Sequence, residues 1–496
     1  MDIAVLAEAL DRLVPEILEL TRAPGVSIAV GMGEEVAWAK GYGHADVAHG
    51  RPMTPQTVGP TGSDCKPYTA VAALQLVERG LIGLHDPVDD HLDGLRLDNP
   101  HGGPPVTLWH LLTHRSGLGT NFGYTTRVPP APLGEHLRRV FRDARGDAYQ
   151  GMLPFWATPV GANYQYSNTG IAVVGYLVER LNPEGLSFPE YLRRHVFAPL
   201  GMASTCFPPA QHPDHVPAGL LSRRSVGYAT LAGLRFVLPQ FYPGDYPAGS
   251  ALTTPSDHAR FLLAVANGGQ LGGARILRRE TAGQMVTPQA AFGPDPNAAV
   301  GLVWTVFHHG SPHGYFGHGG EYMWGWSNFA RAWPHHRVAL VVACNQWDLG
   351  DMGTSERPSH FAGRLVAGAV TAWVNGVDPR PRRDPAAGRG YLAGALVSVR
   401  LGGALGIDTP PSDVDIERIA STALVDPGTP WDPDAFRAGL RDAGATGGSL
   451  PGMIRLARRE IPDHERELLQ RQLGLPWMGR NIPPELAEFS PGDAPG

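Results

Sequence analysis

The stretch SDCKPYTAVAALQLVERG, residues 63–80, is apolar on nearly every side from Ala70 to Val77. A helix without a polar face has no side to present to water, so it belongs in the interior of a domain. Gly80 follows the last apolar turn, where glycine commonly ends a helix. Pro67 falls in the first turn, where the missing backbone N–H costs no helical hydrogen bond. The stretch therefore predicts a buried helix that starts with polar residues.

Two of those polar residues have complementary chemistry. Ser63 and Lys66 stand three residues apart, a spacing that places both side chains on one face of a helix. A lysine there can accept the serine proton, and burial favours its uncharged form. Unpaired backbone N–H groups at a helix N-terminus stabilise negative charge on the serine oxygen. The spacing alone is unspecific, because S-x-x-K occurs by chance in many proteins.

Lysine is nearly absent from the chain, which makes each lysine informative. Of 41 basic residues only Lys40 and Lys66 are lysines, and the rest are arginines. Codon composition is the simplest explanation of this bias. Arginine keeps its proton at every accessible pH, whereas a buried lysine can lose it and act as a base. Lys66 is the candidate base, and Lys40 is interpreted as a solvated strand residue.

Two further motifs follow in the sequence. ANYQYSNTG, residues 162–170, contains Tyr166, a phenol that can shuttle a proton, and Asn168, an amide that can hold a substrate carbonyl or amide. GHGGE, residues 317–321, is predicted to lie just before a strand, where glycines permit close backbone approach and N–H groups can face an oxyanion. Taken separately, the first is typical of a loop with an N-cap and the second of a turn.

Together and in this order, Ser63-x-x-Lys66, Tyr166-x-Asn168 and His318-x-Gly320 resemble the S-x-x-K, Y-x-N and K-T-G or H-x-G motifs of the class C β-lactamase, D,D-peptidase and esterase family. The resemblance covers residues 10 to 375 and includes four further segments around the family's active site. These are LVERGLIGLHDPV (76–88), VTLWHLLTHRSGL (106–118), FAPLGMASTCF (197–207) and PAGSALTTPSDHARFL (247–262).

The resemblance implies a role for each matched residue. Ser63 would be acylated, with Lys66 and Tyr166 relaying its proton to the leaving group, and Asn168 would orient the substrate. The oxyanion hole would be formed by backbone N–H groups of Ser63 and Glu321. His318, followed by Gly319 and Gly320, stands where the family has Lys or His.

The third motif also bears on the substrate. A lysine at the position of His318 would suit a substrate carboxylate, but an unperturbed histidine is largely neutral at pH 7. Glu321, Trp324 and Trp326 put an acid and aromatic bulk where the binding face is expected. They favour an apolar, amide or amine-bearing acyl group, and rim or core packing explains them equally well.

Three functions remain open. The predicted enzyme is a serine hydrolase that acts on an ester or amide, as an esterase, amidase or D-amino-acid peptidase does. An acyltransferase shares the same first half-reaction, and only the group that resolves the acyl-enzyme differs. A non-catalytic binding protein with the same fold is the third, and the intact Ser63, Lys66 and Tyr166 argue against it.

Other chemistry finds no support in the sequence. There is no G-x-S-x-G elbow and no H-E-x-x-H motif, so neither an α/β-hydrolase nor a zinc peptidase is indicated. The pairs His308-His309 and His335-His336 would point to opposite faces of a strand and could hardly share a metal. We therefore expect no metal and no cofactor.

The fold expected is α/β (α+β), β-lactamase/transpeptidase-like, with an antiparallel sheet flanked by N- and C-terminal helices. A helix near the N-terminus, a hairpin around Gly33 and strands on both sides of Pro334 build the sheet. A large, mostly helical lobe is inserted at about 85–290, and the domain ends at 376. Proline, glycine and charge mark 377–390 as a linker. A mainly helical C-terminal extension, 391–496, shows no chemistry; it could be a lid, a docking module or a structural brace.

Composition limits the partners. A net charge of −6 provides no basic field for nucleic acid. Charged residues interrupt the apolar positions of the N-terminus, so neither a signal peptide nor a membrane span is predicted, and we expect a cytoplasmic protein. Cys65, Cys206 and Cys344 are odd in number and widely spaced, which is typical of reduced thiols. The expected partner is a small-molecule or peptide-like ester or amide substrate; oligomeric state is open.

Overall fold

The computed structural model describes residues 1–21, 23–119, 125–126, 131–143, 155–207, 216–231, 234–237, 242–292, 297–322, 325–348, 358–376 and Pro379. The helices are α1 (Ile3–Thr21), α2 (Lys66–Glu78), α3 (Leu108–Leu112), α4 (Leu133–Asp143), α5 (Asn168–Leu181), α6 (Phe188–Leu192), α7 (Ala218–Leu221), α8 (Pro255–Ala266), α9 (Arg279–Met285) and α10 (Pro358–Val374). Short 3-10 turns span Gly62–Cys65, Asp89–His91 and Tyr246–Ala248, and a π turn over Arg193–Phe197 follows α6.

The strands up to the centre of the chain are short apart from the first two. They are β1 (Gly25–Met32), β2 (Glu35–Asp46), β3 (Arg51–Pro52), β4 (Gly59–Pro60), β5 (Thr125–Thr126), β6 (Tyr228–Leu231), β7 (Leu234–Val237), β8 (Tyr242–Pro243) and β9 (Leu252–Thr253). The later strands are β10 (Gln270–Leu271), β11 (Ala274–Arg275), β12 (Ala290–Ala291), β13 (Ala298–Val300), β14 (Thr305–Phe307), β15 (Tyr315–Tyr322), β16 (Trp326–Trp333), β17 (Val338–Cys344) and β18 (Gln346–Asp348).

An antiparallel sheet organises the molecule. Among the described residues nine strands pair in the order β12-β13-β14-β15-β16-β17-β1-β2-β3. β17 joins the N-terminal hairpin to the later strands, because it pairs with β1 from Val26 opposite Cys344 to Met32 opposite Val338. The predicted hairpin turns at Gly33, whose φ of +67° is open to glycine without strain. The antiparallel sheet predicted from the sequence is thus confirmed.

Helices cover both faces of this sheet. Alternate residues of β17 point to opposite sides, as the pleat requires. Val338, Leu340 and Val342 pack with α1 and α10, whereas Ala339 and Val341 belong to the core that contains α2, α5 and α8. The prediction that an N-terminal and a C-terminal helix flank the sheet is confirmed.

In the segment predicted as the inserted lobe, α8 lies against the sheet, where a Cβ on Gly31 would come within 2.7 Å of Leu263. The segment also contains short strands, two of which, β6 and β7, form a small sheet with β18 in the order β18-β6-β7. These short strands lack the long apolar alternation that identifies a strand in a sequence.

Local details around two motifs also differ. The predicted helix does not begin at Ser63: a 3-10 turn spans Gly62–Cys65, and α2 begins at Lys66. Gly317–Glu321 lies inside β15 rather than before a strand. Except for Pro379, the predicted linker and C-terminal extension fall outside the described residues, as does Trp324. In the ranges given above, each helix is too short or too polar to cross a membrane.

Candidate active site

The turn that contains Ser63 packs directly against β15. Gly62 has a φ of +54°, and a Cβ there would lie 2.5 Å from backbone atoms of Glu321. A Cβ on Gly320 would lie 1.9 Å from the carbonyl oxygen of Thr61. Real Cβ atoms do not approach other atoms so closely, so both positions require glycine. The two glycines bring the first and third sequence motifs into contact.

Ser63 is the point at which the first two motifs meet. Lys66 Nζ lies 2.8 Å from Ser63 Oγ, and the hydroxyl of Tyr166 lies 2.7 Å from the same oxygen. The ammonium nitrogen of Lys66 also lies 4.8 Å from the ring centroid of Tyr166. All three side chains predicted to be catalytic are therefore brought together.

Burial determines the charge of this group. Lys66 is 0% exposed, and burial is the largest influence on its pKa, which it lowers from the ordinary 10.5 to about 8. The acidic groups of Cys65, Asp245 and Asp64 act in the opposite direction and by less. Burial also raises the pKa of Tyr166 well above 10, so its phenol stays protonated at neutral pH. A neutral amine and a protonated phenol can therefore flank the serine.

The backbone around Ala248 completes the environment of the lysine. Lys66 Nζ donates a 2.7 Å hydrogen bond to the Ala248 carbonyl oxygen, which fixes the amine beside Ser63. Asp245, at the start of the same turn, is buried, and burial raises its pKa to about 7. Sequence reasoning assigned no role to either residue. The only signal was that 247–262 resembles a family segment, which does not reveal a main-chain contact.

His114 is a further residue that sequence reasoning did not single out. Its Nδ1 accepts the Ser167 N–H at 3.2 Å, and its carbonyl oxygen accepts the Gln165 N–H at 2.6 Å. Its ring lies against that of Tyr166, with centroids 4.5 Å apart. His114 thus holds the backbone on both sides of Tyr166. Burial, with Lys66 and His318 adding to it, lowers the pKa of His114 well below 6.5, so the ring is uncharged.

The remaining predicted residues occupy different places. Asn168 is the first residue of α5, after the N-cap Ser167, and its Oδ1 is buried without a hydrogen-bond partner among the described residues. His318, on β15, is 10% exposed, and its ring centroid lies 6.4 Å from that of Tyr166. Trp326 is 3% exposed and packs on Gly59, so core packing accounts for its ring.

Two further observations concern the cysteines and possible metal ligands. Cys65, Cys206 and Cys344 are free thiols. In the part of the chain that the structure describes, the residues do not form a group of three or more His, Cys, Asp or Glu side chains that could hold a metal. Within the described residues, the Lys66 amine and the Tyr166 phenol both contact the hydroxyl of Ser63.

Known proteins resemble this chain in sequence. The family model described as Beta-lactamase matches residues 10–362. Esterase EstB of Burkholderia gladioli is 30% identical over 356 residues, which cover 66% of this chain and 86% of the esterase.

Solved structures share the fold at lower identity. The D-amino acid amidase of Ochrobactrum anthropi SV3 aligns with a TM-score of 0.54 and 23% identity, over 70% of this chain and 91% of the amidase. EstCE1, described as a hydrolase with promiscuous acyltransferase activity, aligns with a TM-score of 0.55 and 20% identity, over 69% of this chain and 95% of that chain. By its family match, its fold and the residues around Ser63, the chain belongs to the beta-lactamase family of serine hydrolases.

Proposed function

We propose that this protein cleaves a small ester or amide through an acyl-enzyme on Ser63, with Lys66 and Tyr166 moving the proton. The observation that carries the proposal is the pair of contacts on Ser63 Oγ, 2.8 Å from an amine and 2.7 Å from a phenol. Both distances lie within the reach that general acid–base catalysis requires. The lowered pKa of Lys66 makes its neutral, basic form accessible near neutral pH.

The first half-reaction transfers the acyl group. Neutral Lys66 takes the proton of Ser63 as Oγ bonds to the substrate carbonyl carbon, whose oxygen becomes negative. The tetrahedral intermediate then collapses, and the bond to the alcohol or amine breaks. Tyr166 gives its proton to the departing group and regains one from Lys66. Water attacks the acyl-enzyme by the reverse path, which releases the acid and restores Ser63.

The negative oxygen needs donors that are already in place. We assign this role to the backbone N–H groups of Ser63 and Glu321, because Gly62 and Gly320 hold their two segments in contact. Removing one oxyanion donor from a serine enzyme typically costs about 2.7–4 kcal/mol. Asn168 would orient the substrate from the start of α5, where its amide oxygen has no other described partner.

The names of two relatives suggest the substrate class. EstB is an esterase and the Ochrobactrum protein is a D-amino acid amidase, so we infer a small ester or amide for this chain as well. Acyl transfer to an amine or alcohol is the second candidate. It is favoured by the likeness to EstCE1, whose description includes promiscuous acyltransferase activity.

Active-site labelling tests the nucleophile. The full chain is incubated with a fluorophosphonate probe, and the labelled peptide is located by mass spectrometry in the wild type, Ser63→Ala and Lys66→Ala. We expect an adduct on Ser63, none in Ser63→Ala, and labelling at least about 100-fold slower in Lys66→Ala. The chain offers matched controls, because Ser187 is exposed without a capping bond and Lys40 is a half-exposed lysine paired with Asp11.

The outcomes separate the candidates. An adduct on another residue, or equal labelling of Ser63→Ala, would refute the nucleophile. A wild-type protein that binds esters but forms no adduct and releases no acid would be the non-catalytic protein. Hydrolysis and transfer are then distinguished by product analysis with and without an added amine: an acylated amine formed at the expense of the free acid indicates transfer.

A further inference from the structure

Asp64, the residue after the proposed nucleophile, has a buried carboxyl group without a hydrogen bond among the described residues. Asp64 is 1% exposed, and neither of its carboxyl oxygens has a hydrogen-bond partner among the described residues. An ionised carboxylate buried there would lower stability by several kcal/mol, because it loses its hydration and gains no hydrogen bond in exchange. A buried polar group left without partners calls for a specific explanation.

The side chains next to Asp64 form a row that leads from the core to the candidate active site. Asp64 Oδ1 lies 3.8 Å from His318 Nδ1, and Asp64 Oδ2 lies 4.0 Å from His258 Nε2. On its other side, the His258 ring shares a 2.5 Å hydrogen bond between Nδ1 and the Tyr68 hydroxyl. Asp64, His258, Trp326 and Asn328 line a small cavity, and His258 Nε2 is buried without a hydrogen-bond partner among the described residues. A movement of under about 1 Å would bring either gap to hydrogen-bond distance.

Burial keeps the side chains of Asp64 and His258 uncharged. It raises the pKa of Asp64 well above 3.8, and the nearby Lys66 opposes this by less. It lowers the pKa of His258 to about 3. Two further titratable groups that face this region are Cys65 and Tyr68, and burial raises the pKa of both thiol and phenol, so both stay protonated.

The hydrogen bonding of His318 fixes its tautomer. His318 Nδ1 lies 2.5 Å from the carbonyl oxygen of Gly319. A carbonyl can only accept, so Nδ1 carries the ring proton, and in the neutral ring Nε2 is an acceptor. Nδ1 also lies 3.8 Å from Asp64 Oδ1, close enough for the carboxyl group to constrain the ring, and the other carboxyl oxygen is directed to His258 Nε2 at 4.0 Å.

We propose that Asp64 is a positioning and specificity-determining residue: its uncharged carboxyl group orients His318 through Nδ1, keeps the imidazole uncharged, and so selects acyl donors without a carboxylate. An ionised Asp64 would instead stabilise an imidazolium, which attracts carboxylates. With both groups neutral and the acidic Glu321 on the same strand, a substrate carboxylate would be desolvated without a partner. This inference rests on the proposed function, because it concerns the substrate of that same site.

Two esters of equal length test the selection. The activated aryl ester of butyrate is uncharged, and that of succinate carries one carboxylate. We expect the wild type to prefer the uncharged ester by at least about tenfold in kcat/KM. Asp64→Asn, which keeps the carbonyl oxygen but has no charge, should retain that preference within about threefold. Asp64→Leu should lower kcat on both esters by about tenfold or more with little change in KM, because His318 is no longer oriented.

Two further variants and one spectrum complete the design. His318→Lys, which places a fixed cation in the site, should shift the preference toward the carboxylated ester by about tenfold. Asp98→Asn, at a side chain that is 80% exposed, is the control for loss of an acid. The infrared difference spectrum between wild type and Asp64→Asn at pH 7 should contain a protonated carboxyl band, and this readout is independent of activity.

The outcomes distinguish this inference from the proposed function. A carboxylate band in the difference spectrum, or a wild type that prefers the carboxylated ester and loses that preference in Asp64→Asn, would overturn the inference while Ser63 still acylates. An unchanged kcat in Asp64→Leu would show that Asp64 does not position His318. Failure of both esters to acylate Ser63 in the wild type would refute the proposed function, and the inference with it.

Discussion

The acylation rate should rise with pH and reach a plateau as Lys66 loses its proton. The perturbation is pH alone, from 6 to 10, with the single-turnover rate of acylation as the quantity measured. Lys66 is the group expected to titrate, because its amine contacts Ser63 Oγ and its pKa is lowered to about 8. Only the neutral amine can accept the serine proton, so activity is lost as pH falls below that value.

The magnitude follows from that pKa. With a pKa of about 8, about one-tenth of Lys66 is neutral at pH 7 and about nine-tenths at pH 9, so the rate should rise about tenfold and then level off. A solvated lysine with the ordinary value of 10.5 would give a rise of about 100-fold over the same interval and no plateau. The shape of the pH–rate curve thus shows whether burial lowers the pKa of Lys66.

The assay is rapid mixing of the full chain in excess over an activated aryl ester, with release of the alcohol followed by absorbance. Ser63→Ala measures the background hydrolysis of the ester at each pH. Lys40→Ala removes the only other lysine, which is half-exposed and paired with Asp11, and it should leave the profile unchanged. The buried Asp245, whose pKa is about 7, also lies near the amine, so Asp245→Asn is included to assign the inflection.

Three results would refute the reasoning. A rate that climbs through pH 10 without a plateau would mean that Lys66 titrates as a solvated lysine. An unchanged inflection in Lys66→Ala would assign it to another group. An inflection that is lost in Asp245→Asn but kept in Lys66→Ala would make Asp245 the base.

Three substitutions probe the structure around Ser63. Tyr166→Phe removes the 2.7 Å contact to Ser63 Oγ and should lower kcat by about 10²–10⁴ without changing the unfolding transition; equal kcat would exclude the phenol from the relay. Gly320→Ala would force a Cβ to 1.9 Å from the Thr61 oxygen and should cost about 1–3 kcal/mol of unfolding free energy together with most activity, whereas Gly283→Ala, with no atom within 4 Å, should be neutral or stabilising in denaturant titrations. His114→Leu leaves the Ser167 N–H without an acceptor and should cost about 1–3 kcal/mol and lower kcat more than it raises KM; full activity would mean that Tyr166 is held by other contacts.

Most of the fold could be predicted because its signals are local and strong. The apolar run of α2, the hairpin at Gly33 and the alternation around Pro334 each depend on neighbours in the sequence. The position of α8 could not be predicted in the same way. α8 has the pattern of any helix, and its packing against β1 and β17 of the sheet becomes visible only in the folded chain.

In the candidate site, too, some residues could be predicted from local sequence motifs and others could not. Ser63, Lys66 and Tyr166 carry motifs, and the structure brings their side chains to one oxygen. The carbonyl of Ala248 and the left-handed backbone of His114, with a φ of 55°, contribute through the main chain, where residue type says little. Contacts of that kind become visible only when the chain is folded.

Burial, rather than pairing of opposite charges, sets the protonation states around Ser63. The same loss of water that lowers the pKa of Lys66 raises those of Tyr166 and Asp64 and lowers that of His114. Each shift favours the neutral form of its group, so once Lys66 has lost its proton, above its pKa of about 8, the serine hydroxyl is flanked by neutral donors and acceptors. In such surroundings, the ion nearest to the negative charge that develops on the substrate oxygen is the ammonium group formed when Lys66 accepts the serine proton. A site of this kind needs an acyl donor that brings no charge of its own, which is the same demand that Asp64 places on the substrate through His318.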